Sequence, residues 1–530
     1  MIEIKDLTHR FGKQLLFENV NLSLDRSHRY GLIGANGAGK STFLKILSGE
    51  VEHTSGEIAV DSGLKIGVLG QDQFAFEDFS LKDAVLYGNK RLYEAVKEKE
   101  KLHESPEFTD EINDRLAELE IICAEEDPNY EYETRIEKIL SSLGFSEDEF
   151  GKKMSEIEAS DKVKILLAQV LFPKPDILFL DEPTNNLDID AIAWLEFELN
   201  RHEGTMVVIS HDRHFLNRVC TDILDVDFKK VREFSGNYDD WFIAANLIKK
   251  QAEFERDKKV KEKAELEKFI ARFSANASKA KQATSRQKLL DKIDISEIAT
   301  SSRREPSILF KLGREIGNEI LELSEIDKSF GEIKILQNFN LKLLKGDKIA
   351  VIGRNGVGKS TLCKIIVGEM APDKGKVHVG ATIEQGYFAQ DTSSAVSGEA
   401  KLYDYLRDEK NKDLDEIRKC LGRMLFSGAE QEKSVGALSG GEKHRVMLSK
   451  LMLTKPNFLV LDEPNNHLDL EAIIALGEAL YNFAGCVICV SHDRELIDAF
   501  ANRILHLKGN GEVVDFRGSY EEYRASLGEE

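Results

Sequence analysis

The 530-residue chain predicts an α/β protein made of two tandem copies of one phosphate-binding fold, joined by a long α-helical hairpin. Three observations predict it. A glycine-rich loop occurs twice, as GANGAGKST at residues 34–42 and GRNGVGKST at 353–361, each between an apolar strand (RYGLIG, KIAVIG) and an apolar helix (FLKILSG, LCKIIVG). Landmarks recur in one order: Phe11 to Phe330, Lys40 to Lys359 and Gln71 to Gln390 are 319 residues apart, and Asp181 to Asp462 and His211 to His492 are 281 apart. The intervening residues 239–318 are poor in Gly and rich in Lys, Glu and Ala, which suits helices. The expected domains are therefore 1–238, 239–318 and 319–530. The shorter second offset places about 38 extra residues in the first copy, read as an insertion near 88–132.

In each loop, glycines let backbone N–H groups turn toward phosphate oxygens at a helix start, where the helix dipole also favours negative charge. The expected phosphate ligands are Gly34, Asn36, Gly37, Gly39, Lys40, Ser41 and Thr42, and in the second copy Gly353, Asn355, Gly356, Gly358, Lys359, Ser360 and Thr361. Each lysine would bridge the terminal phosphates of ATP, and Ser41 and Ser360 would ligate Mg²⁺. Gln71 and Gln390 are placed with the same nucleotide and metal. Phe11 and Phe330 precede the first sheet strands and offer flat faces for adenine, with core packing as the competing reading.

Further along, Asp181 and Asp462 end the apolar runs ILFLD and FLVLD, where a carboxylate would sit beside Mg²⁺ at the carboxyl edge of a parallel sheet. The next residues, Glu182 and Glu463, would orient and polarise the water that attacks the γ-phosphoryl group. His211 and His492 follow TMVVIS and CVICVS and would hydrogen-bond a γ-phosphate oxygen; a helix-capping histidine is the plain alternative.

The net charge of −21 argues against a nonspecific polyanion binder. Distribution sharpens this: residues 90–150 hold 19 acidic against 8 basic residues, whereas 268–292 hold seven basic and one acidic. No apolar run approaches the ~20 residues of a membrane helix, and MIEIKDLTHRFG lacks a secretory apolar stretch, so a soluble cytoplasmic protein is expected. Six scattered cysteines agree with a reducing compartment. Cys486 and Cys489, in CVICVSHD, should point to opposite faces of a strand and be structural.

In the linker, Trp241, Ala245, Ile248 and Ala252 form an apolar stripe on a first helix. A second helix should begin near Ala280 and pack through Leu289, Leu290 and Ile293. Between them lies a tip, about 272–288, whose Arg272, Lys279, Lys281 and Arg286 suit RNA phosphates. A solvated helical spacer is the bland reading of the same charges. The insertion also reads as a helical hairpin, too acidic for direct RNA contact.

The second copy carries LSGGEKHR (Leu438 to Arg445). With that signature the chain resembles the ATP-binding-cassette superfamily over nearly its whole length. Two fused cassettes, a charged linker and the loops DEPTNNLD and DEPNNHLD resemble its ABC-F group of translation factors, most closely the YbiT-type subgroup. The resemblance implies two ABC-type P-loop NTPase cassettes that close head to tail within a monomer. Ser439, Gly440 and Gly441 would then cover the ATP on Lys40, and Asp188 and Asp469 would carry contacts across the interface. It further implies a Mg²⁺-dependent ATPase that binds the ribosome, contacting ribosomal RNA and proteins at the E site, with the linker reaching P-site transfer RNA. The acidic arm would meet a basic ribosomal protein.

The first copy departs from this pattern, with Ile157, Glu158, Ala159, Ser160 and Asp161 where Leu438 to Glu442 stand in the second. A carboxylate replaces the hydroxyl, so the site on Lys359 should be the weaker one; a shifted register through Met154 and Ser155 is the alternative. Competing functions are a soluble ATPase subunit of a transporter, a DNA-repair or chromosome-associated ATPase, and a binding module without turnover. Which ribosomal state is recognised, and any role in antibiotic resistance, are not legible in the sequence.

Overall fold

Each copy opens on alternating apolar residues, the pattern of an antiparallel sheet with one covered face. The computed structural model describes all residues except 13, 71–75, 105–108, 186, 274–304, 392–395, 408–412 and 529–530. In the first copy the strands are β1 (Ile2–Phe11), β2 (Gln14–Leu24), β3 (Arg29–Gly34), β4 (Ser55–Val60), β5 (Ile66–Val68), β6 (Ile177–Asp181), β7 (Thr205–Ile209), β8 (Asp222–Asp227) and β9 (Lys230–Ser235). In the second they are β10 (Leu321–Phe330), β11 (Ile333–Lys342), β12 (Lys348–Ile352), β13 (Lys374–Val379), β14 (Gln385–Phe388), β15 (Phe458–Asp462), β16 (Cys486–Val490), β17 (Arg503–Gly509) and β18 (Glu512–Arg517).

The chain divides into two units, Met1–Asp61 with Leu216–Arg303, and Ser62–Phe215 with Arg304–Glu530. In the first unit, β1 pairs antiparallel with β2 and β4, burying Ile2, Ile4 and Leu7. β3 pairs parallel with β8, and β8 antiparallel with β9. The first phosphate loop follows β3 and leads into the helix Lys40–Leu47.

The same unit carries the helix Tyr238–Phe273, which meets the helical expectation for the first part of the linker. Trp241 anchors it, 4% exposed, with its Nε1 donating to Asp225 Oδ2 at 3.3 Å. Further along the expected stripe Ile248 is 49% exposed. A 3.6-residue periodicity gives the face without saying how far a partner runs along it. The side chain of Ala252 and the second linker helix, with Leu289, Leu290 and Ile293, lie outside the described residues.

In the second unit, β14-β15-β16-β12-β17-β18 form a sheet that is parallel except for β18. Its central strands are apolar on both faces because both are covered. Phe458, Val460, Cys486 and Ile488 pack into one core; Leu459, Leu461, Val487 and Cys489 pack into the other. Cys486 and Cys489 thus point to opposite faces and are buried, as strand alternation requires. β10 pairs antiparallel with β11 and β13, repeating the opening ribbon. From the first copy this unit contains β5, β6 and β7, paired in parallel.

The insertion forms helices Lys90–His103 and Asp110–Glu126, with 105–108 outside the described residues. They bury Leu92, Ala95, Leu119 and Cys123, and ion pairs link Arg91 to Glu125 at 2.7 Å and Arg115 to Glu98 at 2.7 Å. The hairpin reading holds. Residues 305–318, read with the linker, are not helical. Ile308, Phe310 and Ile316 are buried, and backbone bonds run from Ser307 N to Arg423 O and from Gly313 N to Lys455 O. Pro306 cannot donate a backbone hydrogen bond, and Gly313 packs closely against a distant residue, where a Cβ would lie 2.7 Å from the Lys455 carbonyl. No helix among the described residues is long and apolar enough to cross a membrane.

Candidate active site

The strand registers of the second copy bring its motifs to one edge. Val351 pairs with Val490, and Phe388 with Leu461, so Gly353, Gln390, Asp462 and His492 all lie at or just beyond the carboxyl ends of parallel strands. Gly353, at φ 143, has no room for a side chain: a Cβ would meet the Leu507 carbonyl at 2.3 Å. Gly358, at φ 103, caps the helix Lys359–Val367 and points the loop into it.

Lys359 is 6% exposed, and its ammonium donates to the carbonyls of Gly353 at 2.9 Å and Arg354 at 2.8 Å. Burial pulls it down to about 8, against the opposing pull of Glu463. Asp462 is 1% exposed, and neither carboxylate oxygen completes a hydrogen bond of normal geometry. Burial pushes its carboxyl up to about 6, with the nearby Ser360 hydroxyl only partly offsetting this. His492 is likewise buried with both ring nitrogens unpartnered, its Nε2 3.9 Å from Glu463 Oε1, and burial lowers it to about 3. It is therefore a neutral imidazole. Buried polar atoms without partners are rare and costly, which marks this cluster as a candidate ligand site.

Glu463 sits at φ 50, an unusual left-handed conformation for a glutamate. Its N–H donates to Val490 O at 3.0 Å, and Asn466 Nδ2 donates to its Oε2 at 2.7 Å. Glu182 has the same conformation, at φ 51, with its N–H on Ile209 O at 2.9 Å and its Oε1 3.2 Å from His211 Nε2. Asp181, by its pairing with Ile209, ends β6 as Asp462 ends β15. In the other unit, Lys40 donates to Gly34 O at 2.7 Å, and Gly39 at φ 100 caps its helix, repeating the second loop.

The signature Ser439 caps the helix Gly440–Thr454. Its hydroxyl accepts from Glu442 N at 3.3 Å, and Glu442 Oε2 accepts from Ser439 N at 2.8 Å, a reciprocal capping box. In the first copy Glu158 stands at the corresponding cap of the helix Ala159–Leu171, with no side-chain capping bond. This settles the register: Glu158 occupies the signature serine's place, and Met154 lies in the preceding short turn, buried. Glu158 also approaches the second phosphate loop, its Oε2 3.2 Å from where a Cβ on Gly356 would be. Asp188 Oδ2 accepts from Asn355 N at 3.4 Å, and Asp190 pairs with Arg354 at 2.7 Å.

The comparisons with known proteins fit this geometry. The family model described as ABC transporter matches residues 17–185 and 336–466, and a second model of the same description matches 224–310. The Bacillus subtilis ABC transporter ATP-binding protein YkpA is 48% identical, covering 99% of this chain and 97% of its own. The Escherichia coli O157:H7 ATP-binding protein YbiT is 44% identical over the full length of both. The chain belongs to the ABC-F family of ATP-binding cassette proteins.

The fold agrees: the solved RNase-L inhibitor superposes with TM-score 0.63 at 19% identity, covering 99% of this chain and 93% of its own. An archaeal ribosome recycling factor, solved in complex with a ribosomal stalk protein, gives TM-score 0.62 at 18% identity over 99% and 92%. ABC-F cassettes imply ATP with Mg²⁺, and the residues fit the metal: the unpartnered Asp462 carboxylate beside Ser360 is a hard oxygen set of the kind Mg²⁺ prefers.

Of the expected site residues, Gln71 lies outside the described residues, as do Lys279, Lys281 and Arg286 of the tip. Arg272 falls in the last turn of the helix Tyr238–Phe273. Phe11 is 75% exposed and Phe330 48%, which removes core packing as their role. Sequence reasoning missed Asn466 holding Glu463, and Lys164, which pairs with Asp161 at 3.0 Å and Asp188 at 3.1 Å. It also missed the half-buried Asp212 and the buried Asp493 after the two histidines, each capping its own helix at 3.0 Å. The repeated HDR tripeptide held that last signal.

Proposed function

We propose that this ABC-F protein is a Mg²⁺-dependent ATPase whose ATP-bound, closed form binds the ribosome at the E site, with its linker reaching P-site transfer RNA. The single observation that carries the ATPase reading is the corner of Lys359, Asp462, Glu463 and His492, in which buried polar groups await a charged ligand. Lys359 exchanges the Gly353 and Arg354 carbonyls for the terminal phosphate oxygens. Glu463, fixed by Asn466, accepts a hydrogen bond from the attacking water and takes its proton as the new oxygen–phosphorus bond forms and the bond to ADP breaks. His492, uncharged, contacts the γ-phosphoryl oxygen. Ser360, Asp462 and Gln390 would hold Mg²⁺, which would supply charge neutralisation at the phosphate oxygens; Ser41, Gln71 and Asp181 are the counterparts.

The ribosome reading is supported by ABC-F membership and by two cassettes in one chain with a 36-residue helix between them. It is also supported by the likeness in fold to proteins solved as a ribosome recycling factor and in a ribosome-bound assembly. Within it, the tip carries the RNA contact, the acidic arm meets a basic ribosomal protein, and the chain works in the cytoplasm as a monomer. The family description as ABC transporter favours a second reading, a soluble subunit of a membrane pump. Phosphate release from purified protein should require Mg²⁺ and rise on adding ribosomes. Release that ignores ribosomes, together with recovery of the protein in the membrane fraction, would favour the pump.

A further inference from the structure

We infer that the tetrapeptides HDRH at 211–214 and HDRE at 492–495 form a reciprocal latch between the two copies, and that Asp212 and Asp493 within it hold one proton between them. Both tetrapeptides lie in the second unit. Their contacts cross in register: Arg213 Nη1 donates to Glu495 Oε1 at 2.5 Å, and Arg494 Nη1 lies 3.3 Å from His214 Nδ1. The arginine of each copy therefore meets the fourth residue of the other, as a twofold relation between the tetrapeptides requires. Glu196 backs one side, its Oε1 3.4 Å from His214 Nδ1. Asp212 and Asp493 line one cavity of about 50 Å³, together with His211, His492, His467 and Glu463. Each aspartate already accepts from the first turn of its own helix, from Phe215 N and Leu496 N, both at 3.0 Å.

Two carboxylates that share a site cannot both ionise cheaply, and one of them keeps its proton. The charges facing this pair are mixed. Asp212 meets Glu196 on the helix Ile189–Asn200, His214 on its own helix and Arg494 from the other copy. Asp493 meets Asp212, Glu495 on its own helix and the buried, uncharged Cys489 thiol on β16. Burial outweighs the rest: it raises Asp212 and, with the Asp212 charge, pushes Asp493 up to about 8. A carboxyl raised in the closed latch binds its proton more tightly there than after opening. The latch is therefore firmest below about pH 3.8 and weakens as pH rises toward 8. Loss of the shared proton puts two charges on one cavity, and the tetrapeptides part. This makes the seam a pH-sensitive device that is independent of the ATPase reading above.

The test is hydrogen exchange of the full chain without nucleotide, read by mass spectrometry on peptides covering 210–216 and 491–497 and corrected for the intrinsic pH dependence of exchange. Protection there should fall about tenfold between pH 7 and pH 9, while peptides from the arm helices change less than about twofold. Asp212→Asn and Asp493→Asn each remove one charge and keep an acceptor for the helix cap. Each should cut the fall to less than about threefold, and the double variant should add nothing further. Protection that stays level or rises with pH in the unaltered protein overturns the inference, whatever the variants do. So does a tenfold fall that survives Asp212→Asn, because the two carboxyls would then titrate independently. With nucleotide absent throughout, either result leaves the ATPase reading standing.

Discussion

The helix beginning at Gly440 and the helix beginning at Ala159 are counterparts, yet one is entered through a serine locked in a reciprocal capping box and the other through an uncapped glutamate. The catalytic corners do not share this divergence: Glu182 and Glu463 keep the same left-handed backbone, at φ 51 and 50, and each follows an aspartate at a strand end. The difference teaches that two copies can keep one strand-end geometry while the cap of a neighbouring helix diverges.

The largest expected effect comes from breaking that symmetry at the catalytic glutamates. Glu182→Gln should lower steady-state phosphate release by about 100-fold, and Glu463→Gln by less than about threefold, if the site on Lys40 does most of the turnover. A reversed pattern, with only Glu463→Gln abolishing release, would mean that the Glu158 side is the productive one. The contrast extends to the two appendages. Replacing Arg272, Lys279, Lys281 and Arg286 with Ala should weaken ribosome binding by about fiftyfold at moderate salt and flatten its salt dependence. Unchanged binding across a salt series would reduce the tip to a spacer.

The aspartates after the histidines sharpen the comparison through pH. Burial, with the nearby Asp212 charge, pushes Asp493 up to about 8 from 3.8. A carboxyl raised on folding holds its proton more tightly in the folded chain, so stability falls as pH rises through this interval, and the cost is complete above about 8. Asp493→Asn keeps an acceptor for the Leu496 N–H and removes the charge. It should stabilise the protein by about 2 kcal/mol at pH 9 and leave thermal melts below about pH 3.8 nearly unchanged. The smallest effect concerns the helix caps. Ser439→Ala should cost about 1 kcal/mol in denaturant melts, whereas Glu158→Ala should cost under about 0.5 kcal/mol, since no capping bond is lost there.

Much of this was legible in the sequence because loop and strand motifs tie chemistry to local geometry. Gly-x-x-x-x-Gly-Lys-Ser between an apolar strand and a helix leaves few alternatives, and an aspartate closing an apolar run must reach a sheet edge. The alternation in CVICV placed Cys486 and Cys489 on opposite faces. What was not legible depends on distant partners. Ile248 continues a helical stripe, but its burial requires a neighbour that periodicity does not supply, and it is exposed. Residues 305–318 follow a helical, charged segment, yet Pro306 and the close approach of Gly313 to Lys455 turn them into an extended strap over the second cassette. The pairing of Lys164 with Asp188 is a tertiary event that no local pattern announces, and the register of Glu158 was settled only by where the helix begins.

The central claim, that nucleotide gates attachment to the ribosome, is met most directly by sedimenting the Glu182→Gln, Glu463→Gln double variant through sucrose with purified ribosomes, with ATP, with ADP and without nucleotide. The account predicts that the protein pellets with ribosomes when ATP is present and stays in the supernatant otherwise. Equal recovery in all three conditions, whether bound or free, would contradict it.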